Sequence, residues 1–150
     1  MKPKKSFKIF ILDDDAFCRG IYEQHLKNLG FAETTSFDDY NDCLNHLTEQ
    51  PDIIFLDNLS DSSNGIEALK TIKRLNPNIY VVIMSAQEDI QVAVRAQKYG
   101  AFGYIVKGEK DVEMITSILK KIKNVKEILK KFRPKKFNKF LLCLNLFLTI

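Results

Sequence analysis

A chain of 150 residues is a natural length for one domain with one core, and its contents of 45% hydrophobic and 28% charged residues are ordinary for a soluble globular protein. The net charge of +4 hides an asymmetry: residues 1–119 carry 13 Lys/Arg and 18 Asp/Glu, whereas residues 120–150 carry 10 Lys/Arg and a single acid. Cysteines 18, 43 and 143 lie far apart, which argues against a disulfide framework or a zinc site, and no apolar run near the N-terminus is long enough for a signal peptide.

Short apolar runs alternate with helical patterns along the chain. Strands are predicted at 7–12, 31–37, 53–56, 79–84 and 102–106. Helical spacing of apolar residues follows each of them, at 16–29, 38–47, 66–75, 89–99 and from 111 to about 132. Gly30 and Gly100 stand where helix C-caps are expected, and Asp38 or Asp39 can cap the second helix, which must end before Pro51.

The third strand is the most informative. Residues 53–56 are apolar without alternation and too few for a helix, which indicates a strand buried on both faces, as in parallel sheets. The strand ends in Asp57, and a polar loop closed by Asn64 and Gly65 follows, a pair that favours a turn with positive φ. Open α/β sheets place their ligands at such strand ends, so Asp57 is a candidate for chemistry.

Five strand-then-helix units in strict alternation predict an α/β fold. Their short connections imply right-handed crossovers and a five-stranded parallel sheet, doubly wound, with helices on both faces. We expect one domain over residues 1–132 and a basic, apolar tail over 133–150.

Reactive side chains follow four of the predicted strands, and in a parallel sheet these strand ends share one edge. They are Asp13 with Asp14, Asp57, Ser85 and Lys107. Clustered carboxylates repel one another and need a cation or raised pKa values, and a hard divalent ion such as Mg²⁺ is the usual answer. An ammonium and a hydroxyl beside a metal suit a phosphoryl group. The pattern therefore favours phosphoryl chemistry.

With these motifs the chain resembles the receiver domains of response regulators in two-component signal transduction. The resemblance covers residues 7 to about 132 and rests on parts that occur in order: Asp13-Asp14, Asp57, Asn64-Gly65, Ser85-Ala86 and the run from Tyr104 to Lys107. It implies the flavodoxin-like strand order 2-1-3-4-5. It also implies a phosphorylation-dependent switch rather than a turnover enzyme, working in the cytoplasm.

The resemblance implies a role for each site residue. Asp57 would accept a phosphoryl group from a sensor histidine kinase or phosphotransfer protein. Mg²⁺ would be held by Asp14, Asp57 and the backbone carbonyl of Leu59, with Asp13 reaching it through water. Ser85 and Lys107 would bind the phosphoryl group. Ser85 would then move and let Tyr104 turn inward, altering the face of the fourth helix, fifth strand and fifth helix, through which a homodimer could also form.

Two positions depart from the family pattern without removing a reacting group. Asp61 stands where the family commonly has Pro, four residues after the phosphorylated Asp. Gly108 replaces a Pro after Lys107, so we expect a trans peptide bond there. Leu59 and Gln87 occupy positions that in this family affect hydrolysis of the aspartyl phosphate, and an apolar Leu59 predicts a long-lived phosphoryl group.

The segment after Phe132 is too short for an output domain such as a DNA-binding module, which predicts a single-domain receiver that signals through protein contacts. Its apolar end is shorter than the roughly 20 residues that span a bilayer. A loosely ordered tail is favoured over contact with a membrane surface, and packing on the domain or on a partner stays open.

Two alternatives compete with a phosphorylated receiver. A phosphatase of the haloacid-dehalogenase type would use Asp13 and Asp15 as its Asp-x-Asp motif, with Ser85 and Lys107, but it lacks the later acidic metal pair and leaves Asp57 unexplained. A receiver fold that acts as a binding module without phosphorylation is opposed by the intact set of reacting residues. The acidic run after the first strand could also be no more than a helix N-cap, with Asp15 as the capping residue.

Overall fold

The computed structural model describes residues 6–58 and 64–132 of the chain. Its strands are β1 Ile9–Leu12, β2 Thr34–Phe37, β3 Ile53–Asp57, β4 Tyr80–Ser85 and β5 Gly103–Val106. Its helices are α1 Ala16–Asn28, α2 Tyr40–Asn45, α3 Asn64–Leu75, α4 Ile90–Lys98 and α5 Asp111–Phe132, with a 3₁₀ turn at Leu47–Glu49.

The five strands form one parallel sheet in the order β2-β1-β3-β4-β5, which confirms the predicted fold class and strand order. Leu12 pairs with Leu56, Asp57 with Met84, and Ser85 with Val106, so the carboxyl ends of four strands lie at one edge. This edge is where ligands of open α/β sheets bind.

Helices cover both faces of the sheet, as the continuous apolar strands require. On one face, Phe10, Ile54 and Ile83 belong to a buried cluster that includes residues of α2, α3 and α4. Alternate residues of a strand point to opposite faces, so Ile9 and Ile53, both fully buried, are covered on the other face. There α1 lies against β1 and β2.

Gly30 and Gly100 end α1 and α4 in the same way. Both have φ of 95°, a conformation that costs glycine little, and each donates its N–H to a carbonyl of the last helical turn. At the end of α1, Phe31 N–H also bonds Leu26 O at 3.0 Å. This closing motif uses the residue with which the second strand was expected to begin, and β2 therefore starts at Thr34 instead.

The second helix is shorter than predicted. It is capped by Asp39, whose carboxylate accepts Asp42 N–H at 3.0 Å, and it ends at Asn45 rather than at Leu47. The chain continues as the 3₁₀ turn and leaves it through Gln50, which has left-handed φ and ψ of 56° and 61°. The residue before a proline avoids the right-handed helical region, which fits this exit before Pro51.

The chain forms two compact units, Met1–Ile115 and Thr116–Ile150. The first holds the sheet and the candidate site residues, and the described part of the second is a helix that ends at Phe132. The predicted boundary at residue 132 stays a prediction, since the tail lies outside the described residues. Within the described residues no helix has the length and apolar character to cross a bilayer.

The core of the sheet sets the stability of the fold. Ile83 in β4 is fully buried, and we expect Ile83→Ala to lower the free energy of unfolding by about 2–5 kcal/mol, because it removes apolar contacts and leaves a cavity. Ile90→Ala is the matched control: Ile90 is 73% exposed, and its truncation should change stability by less than about 0.5 kcal/mol. Urea denaturation of both variants checks the contrast, and equal losses would contradict it.

Candidate functional site

Three carboxylates meet at the carboxyl edge of the sheet. Asp13 and Asp14 follow β1, and Asp57 is the last residue of the neighbouring strand β3. One carboxylate oxygen of each lies within 4.8 Å of those of the other two. Asp13 and Asp57 are buried, with 1% and 7% exposure, whereas Asp14 is exposed. The three acids therefore lie close together at this edge, as the sequence predicted.

Lys107 joins the two buried acids. Its Nζ lies 2.7 Å from Asp13 Oδ2 and 2.7 Å from Asp57 Oδ1. Lys107 follows β5, and β4 lies between β5 and β3, so its side chain spans two strand spacings of about 4.8 Å each. A long, unbranched cationic side chain can make this crossing, and it brings a positive charge to the centre of the acidic group.

Burial and charge act in opposite directions on these groups. Burial raises the pKa of Asp57; the Lys107 hydrogen bond opposes this, and the charges of Asp13 and Asp14 add to the rise. Burial lowers the pKa of Lys107, but its hydrogen bonds to Asp13 and Asp57 outweigh burial and raise it well above its usual value. Lys107 therefore stays protonated. Ionisation of Asp57 is costly in the folded protein unless a further positive charge is present.

The donor set fits a hard divalent cation. Carboxylate oxygens are the ligands Mg²⁺ prefers, and octahedral bonds of about 2.1 Å put opposite ligands about 4.2 Å apart. One oxygen each of Asp13, Asp14 and Asp57 lies within 4.8 Å of the other two, so the three carboxylates are near enough for one cation to contact them. Asp14 is exposed, so an ion has access from solvent. The side chains present therefore suit Mg²⁺.

Asp15 has a different task from its neighbours. Its carboxylate caps α1 by accepting Phe17 N–H at 2.8 Å and Cys18 N–H at 3.3 Å, and these bonds lower its pKa. Its own N–H donates to Asp13 Oδ1 at 2.9 Å and so orients that carboxylate. The prediction that Asp15 is a cap is confirmed. The Asp-x-Asp pair of the phosphatase alternative would need Asp15 in the site, where it is not.

Ser85 and Tyr104 share one acceptor next to the site. The buried Ser85 hydroxyl donates to Gln87 O at 2.9 Å, and the Tyr104 hydroxyl donates to the same oxygen at 3.0 Å. Ser85 belongs to the site edge through its own carbonyl, which accepts Lys107 N–H at 2.7 Å. The two residues predicted as a switch are thus linked through the carbonyl of Gln87, with the Ser85 hydroxyl bonded there and not to the acids.

Gly65 does not form the turn that the sequence indicated. It lies in the first turn of α3 without a positive φ, so the prediction of a turn with positive φ at Asn64-Gly65 was wrong for Gly65. The lack of room for a side chain explains why a glycine stands at this position. A Cβ at Gly65 would lie 2.5 Å from Asn58 Oδ1 and 3.0 Å from Asn58 Cα, so only glycine lets α3 approach the residue after Asp57.

Other expectations have mixed outcomes. The Lys107–Gly108 peptide bond is trans, as expected, since the described residues contain no cis bond. The carbonyl of Leu59, the side chain of Asn64 and Asp61 lie outside what the structure describes. Sequence reasoning missed two contacts: the bond from Lys107 to Asp13, and one from the buried Tyr22 to Asp111. Helical spacing marks Tyr22 as a core residue but gives no sign of a partner for its hydroxyl.

Comparisons with known proteins agree with this geometry. A family model described as the response regulator receiver domain matches residues 9–119. The chain is 37% identical over 99 residues to the DNA-binding transcriptional regulator NtrC of Klebsiella pneumoniae, which covers 65% of this chain and 21% of that protein. It is 29% identical over 101 residues to the chemotaxis protein CheY of Thermotoga maritima, covering 67% and 84%. The chain thus spans about a fifth of the length of its NtrC relatives.

Solved structures show the same fold. NtrX from Brucella abortus superposes with a TM-score of 0.73 and 27% identity, covering 86% of this chain and 30% of that one. A CheY-like response regulator receiver domain protein from Methanospirillum hungatei JF-1 gives a TM-score of 0.72 at 21% identity, covering 82% and 98%. At 21% identity, the similarity to the second structure shows only that the two proteins share a fold.

The close approach of Gly65 to Asn58 can be tested directly. We expect Gly65→Ala to destabilise the protein by about 1–3 kcal/mol, because the new methyl group overlaps Asn58, including its backbone. Gly20→Ala is the control: a Cβ at this α1 position meets nothing within 4 Å, and Ala should gain about 0.5–1 kcal/mol from helix propensity. Chemical denaturation measures both, and a stable Gly65→Ala variant would refute the packing argument.

The raised pKa of Asp57 predicts a pH-dependent stability. A carboxyl with a raised folded-state pKa is well tolerated below its unfolded pKa of about 3.9, and it costs stability as the pH rises through the folded value. Asp57→Asn removes this cost. In EDTA, we therefore expect the variant to gain more in Tm over the wild type at pH 7 than at pH 3. Exposed Asp38→Asn serves as the control. A gain that does not depend on pH would contradict the assignment.

Proposed function

Because the chain belongs to the response regulator receiver domain family, whose members are phosphorylation-dependent signalling switches, we propose that Asp57 is the residue that accepts the phosphoryl group. The observation that carries this assignment is the ammonium of Lys107, held 2.7 Å from both Asp13 and Asp57 at the edge where three carboxylates meet. The ammonium in this position can contact the oxygens of an incoming phosphoryl group.

Asp57 acts as the nucleophile in this proposal. Lys107 holds its Oδ1, which leaves the second carboxylate oxygen to attack phosphorus. The new bond joins that oxygen to phosphorus, and the bond that breaks joins phosphorus to a histidine nitrogen of the donor, which keeps the electron pair. Because Asp57 is buried, the nucleophile is poorly solvated before attack. Lys107 then balances charge on the transferred group.

Mg²⁺ is the proposed cofactor, and it would be held by Asp14, Asp57 and the backbone carbonyl of Leu59, with Asp13 reaching it through water. When bound, the ion neutralises charge on the phosphoryl oxygens. Asp13 is well placed for an indirect role, because its carboxylate is already engaged by Lys107 on one oxygen and by Asp15 N–H on the other. The exposed Asp14 keeps its carboxylate at the solvent side for direct contact with an ion.

Ser85 and Tyr104 form the proposed switch. When the Ser85 hydroxyl turns toward the phosphoryl group it leaves Gln87 O and vacates space, and Tyr104, whose hydroxyl also donates to that carbonyl, turns inward. This movement changes the surface around β5 and α4, which a downstream protein can read.

The partners in this proposal are those that membership of the receiver-domain family implies. The phosphoryl donor is a sensor histidine kinase or a phosphotransfer protein, and the output is a protein contact, with a homodimer as one form. The site of action is the cytoplasm, and the reaction is a switch of one phosphoryl group per molecule rather than turnover of a substrate. DNA binding is a property named for the NtrC relatives, whose length this chain covers only in part.

The assignment of Asp57 is tested by incubation with acetyl phosphate and Mg²⁺ followed by intact-mass measurement. We expect the wild type to gain the mass of one phosphoryl group and Asp57→Asn to gain none, because the amide cannot act as the nucleophile. Asp38→Asn, an exposed acid outside the site, should behave like the wild type. Equal phosphorylation of the Asp57→Asn variant would refute the proposal, and steady hydrolysis of a phosphate ester by both would favour the phosphatase alternative.

A further inference from the structure

The loop that follows Lys107 has little side-chain packing at its first residue. Lys107 is followed by Gly108, and a Cβ at Gly108 would meet nothing within 4 Å. The three residues 108–110 then lead to α5, which begins at Asp111. The backbone of Lys107 itself is tied to β4, because its N–H donates to Ser85 O at 2.7 Å, so the first residue not held by the sheet is Gly108. Hydrogen bonds, not side-chain packing, must therefore fix the residue that follows Lys107.

Those hydrogen bonds come from Asp111. Its Oδ2 accepts Gly108 N–H at 3.4 Å, and its own N–H donates to Gly108 O at 3.3 Å, so the two residues close the loop on each other. Oδ1 accepts Val112 N–H at 2.7 Å. A second short bond to this carboxylate comes from α1, where the hydroxyl of Tyr22 donates to Oδ2 at 2.7 Å.

Tyr22 is placed to hold the carboxylate rigidly. Only 2% of Tyr22 is exposed, so its hydroxyl has few alternatives to Asp111. A hydrogen bond to an ionised acceptor is stronger than one between neutral groups. Burial and the neighbouring Asp111 raise the pKa of Tyr22, so the hydroxyl keeps its proton and remains a donor.

The same helix also holds the acidic side of the site. Arg19, one turn before Tyr22 on α1, donates from Nη1 to Asp13 O at 2.7 Å. The contacts form a closed ring: Arg19 to Asp13, Asp13 to Lys107, Lys107 through Gly108 to Asp111, and Asp111 back to Tyr22. One face of α1 thus fixes the spacing between the acid and the cation.

We propose that Tyr22 is a positioning residue for phosphoryl transfer, whose hydroxyl acts through Asp111 and Gly108 to hold Lys107 against Asp13 and Asp57. This inference rests on the proposed function of Asp57 and Lys107. It goes beyond it by giving a role to a buried core residue that touches neither the phosphoryl group nor the cation.

Tyr22→Phe tests the hydroxyl alone, because the ring that fills the core is kept. We expect the rate of phosphorylation by acetyl phosphate to fall by about three- to tenfold, since Lys107 is no longer held in one position. NMR relaxation of the Lys107 Cε, measured without Mg²⁺ or phosphoryl donor, should show greater mobility. Tyr40→Phe is the matched control: this partly buried tyrosine lies at the start of α2, and its variant should match the wild type in both measurements.

A double-mutant cycle separates positioning from general loosening of the fold. In a Lys107→Ala background, adding Tyr22→Phe should cause no further loss of rate, because the group that Tyr22 positions is gone. An equal fractional loss in both backgrounds would show that Tyr22 does not act through Lys107. Unchanged Lys107 mobility in Tyr22→Phe would overturn the inference as well.

A second variant guards against a folding defect. Should thermal denaturation show that Tyr22→Phe is unfolded, Asp111→Asn keeps the shape and one acceptor oxygen but weakens the bond, and it should raise Lys107 mobility in the same direction. Failure of the proposed function has a different signature: the wild type itself would not be phosphorylated, while the mobility of Lys107 would still respond to Tyr22→Phe. If it did not respond, the positioning role would fall on its own.

Discussion

The contact of one ammonium with two buried carboxylates is the interaction on which this site depends. Two carboxylates about 4 Å apart repel by about 4 kcal/mol at an effective dielectric constant of 20, and a third acid adds to this cost. Lys107 offsets part of it by lying 2.7 Å from both Asp13 and Asp57. Removing the ammonium would leave the acids buried without a counter-charge, which is the more expensive arrangement.

This contact in turn constrains the sheet. Lys107 leaves β5 and reaches Asp57 on β3, so its side chain crosses the carboxyl end of β4, where Ser85 is buried. The Ser85 hydroxyl is turned to Gln87 O, and the Ser85 carbonyl accepts the N–H of Lys107 at 2.7 Å. The strand order and this backbone bond together bring the lysine to the edge where the acids lie.

The fold can be predicted from the sequence where the burial of apolar residues determines the structure. The prediction fails where a contact between residues distant in sequence determines it. The apolar run ending in Asp57 identifies a strand buried on both faces. The alternation of strands and helices predicts a parallel sheet, and therefore the edge at which Asp13, Asp57 and Lys107 meet. Gly65 was misread because an Asn-Gly pair has a strong local preference for turns, whereas the actual reason is contact with Asn58. The bond between Tyr22 and Asp111 leaves no periodic signal.

The charge balance of the site explains why a metal belongs to the proposed reaction. With the three acids ionised and Lys107 protonated, the group carries a formal charge of −2. Transfer of a phosphoryl group to Asp57 makes it about one unit more negative, because a phosphate of charge about −2 replaces the carboxylate charge of −1. One ammonium, already shared between Asp13 and Asp57, cannot neutralise this increase. A divalent cation held by Asp14 and Asp57 would supply the missing positive charge, and Lys107 could then turn from the carboxylates toward the phosphoryl oxygens. The loop behind Lys107 must then stay fixed while the side chain changes partner, and a hydrogen bond from the rigid core of α1 to Asp111 provides that restraint.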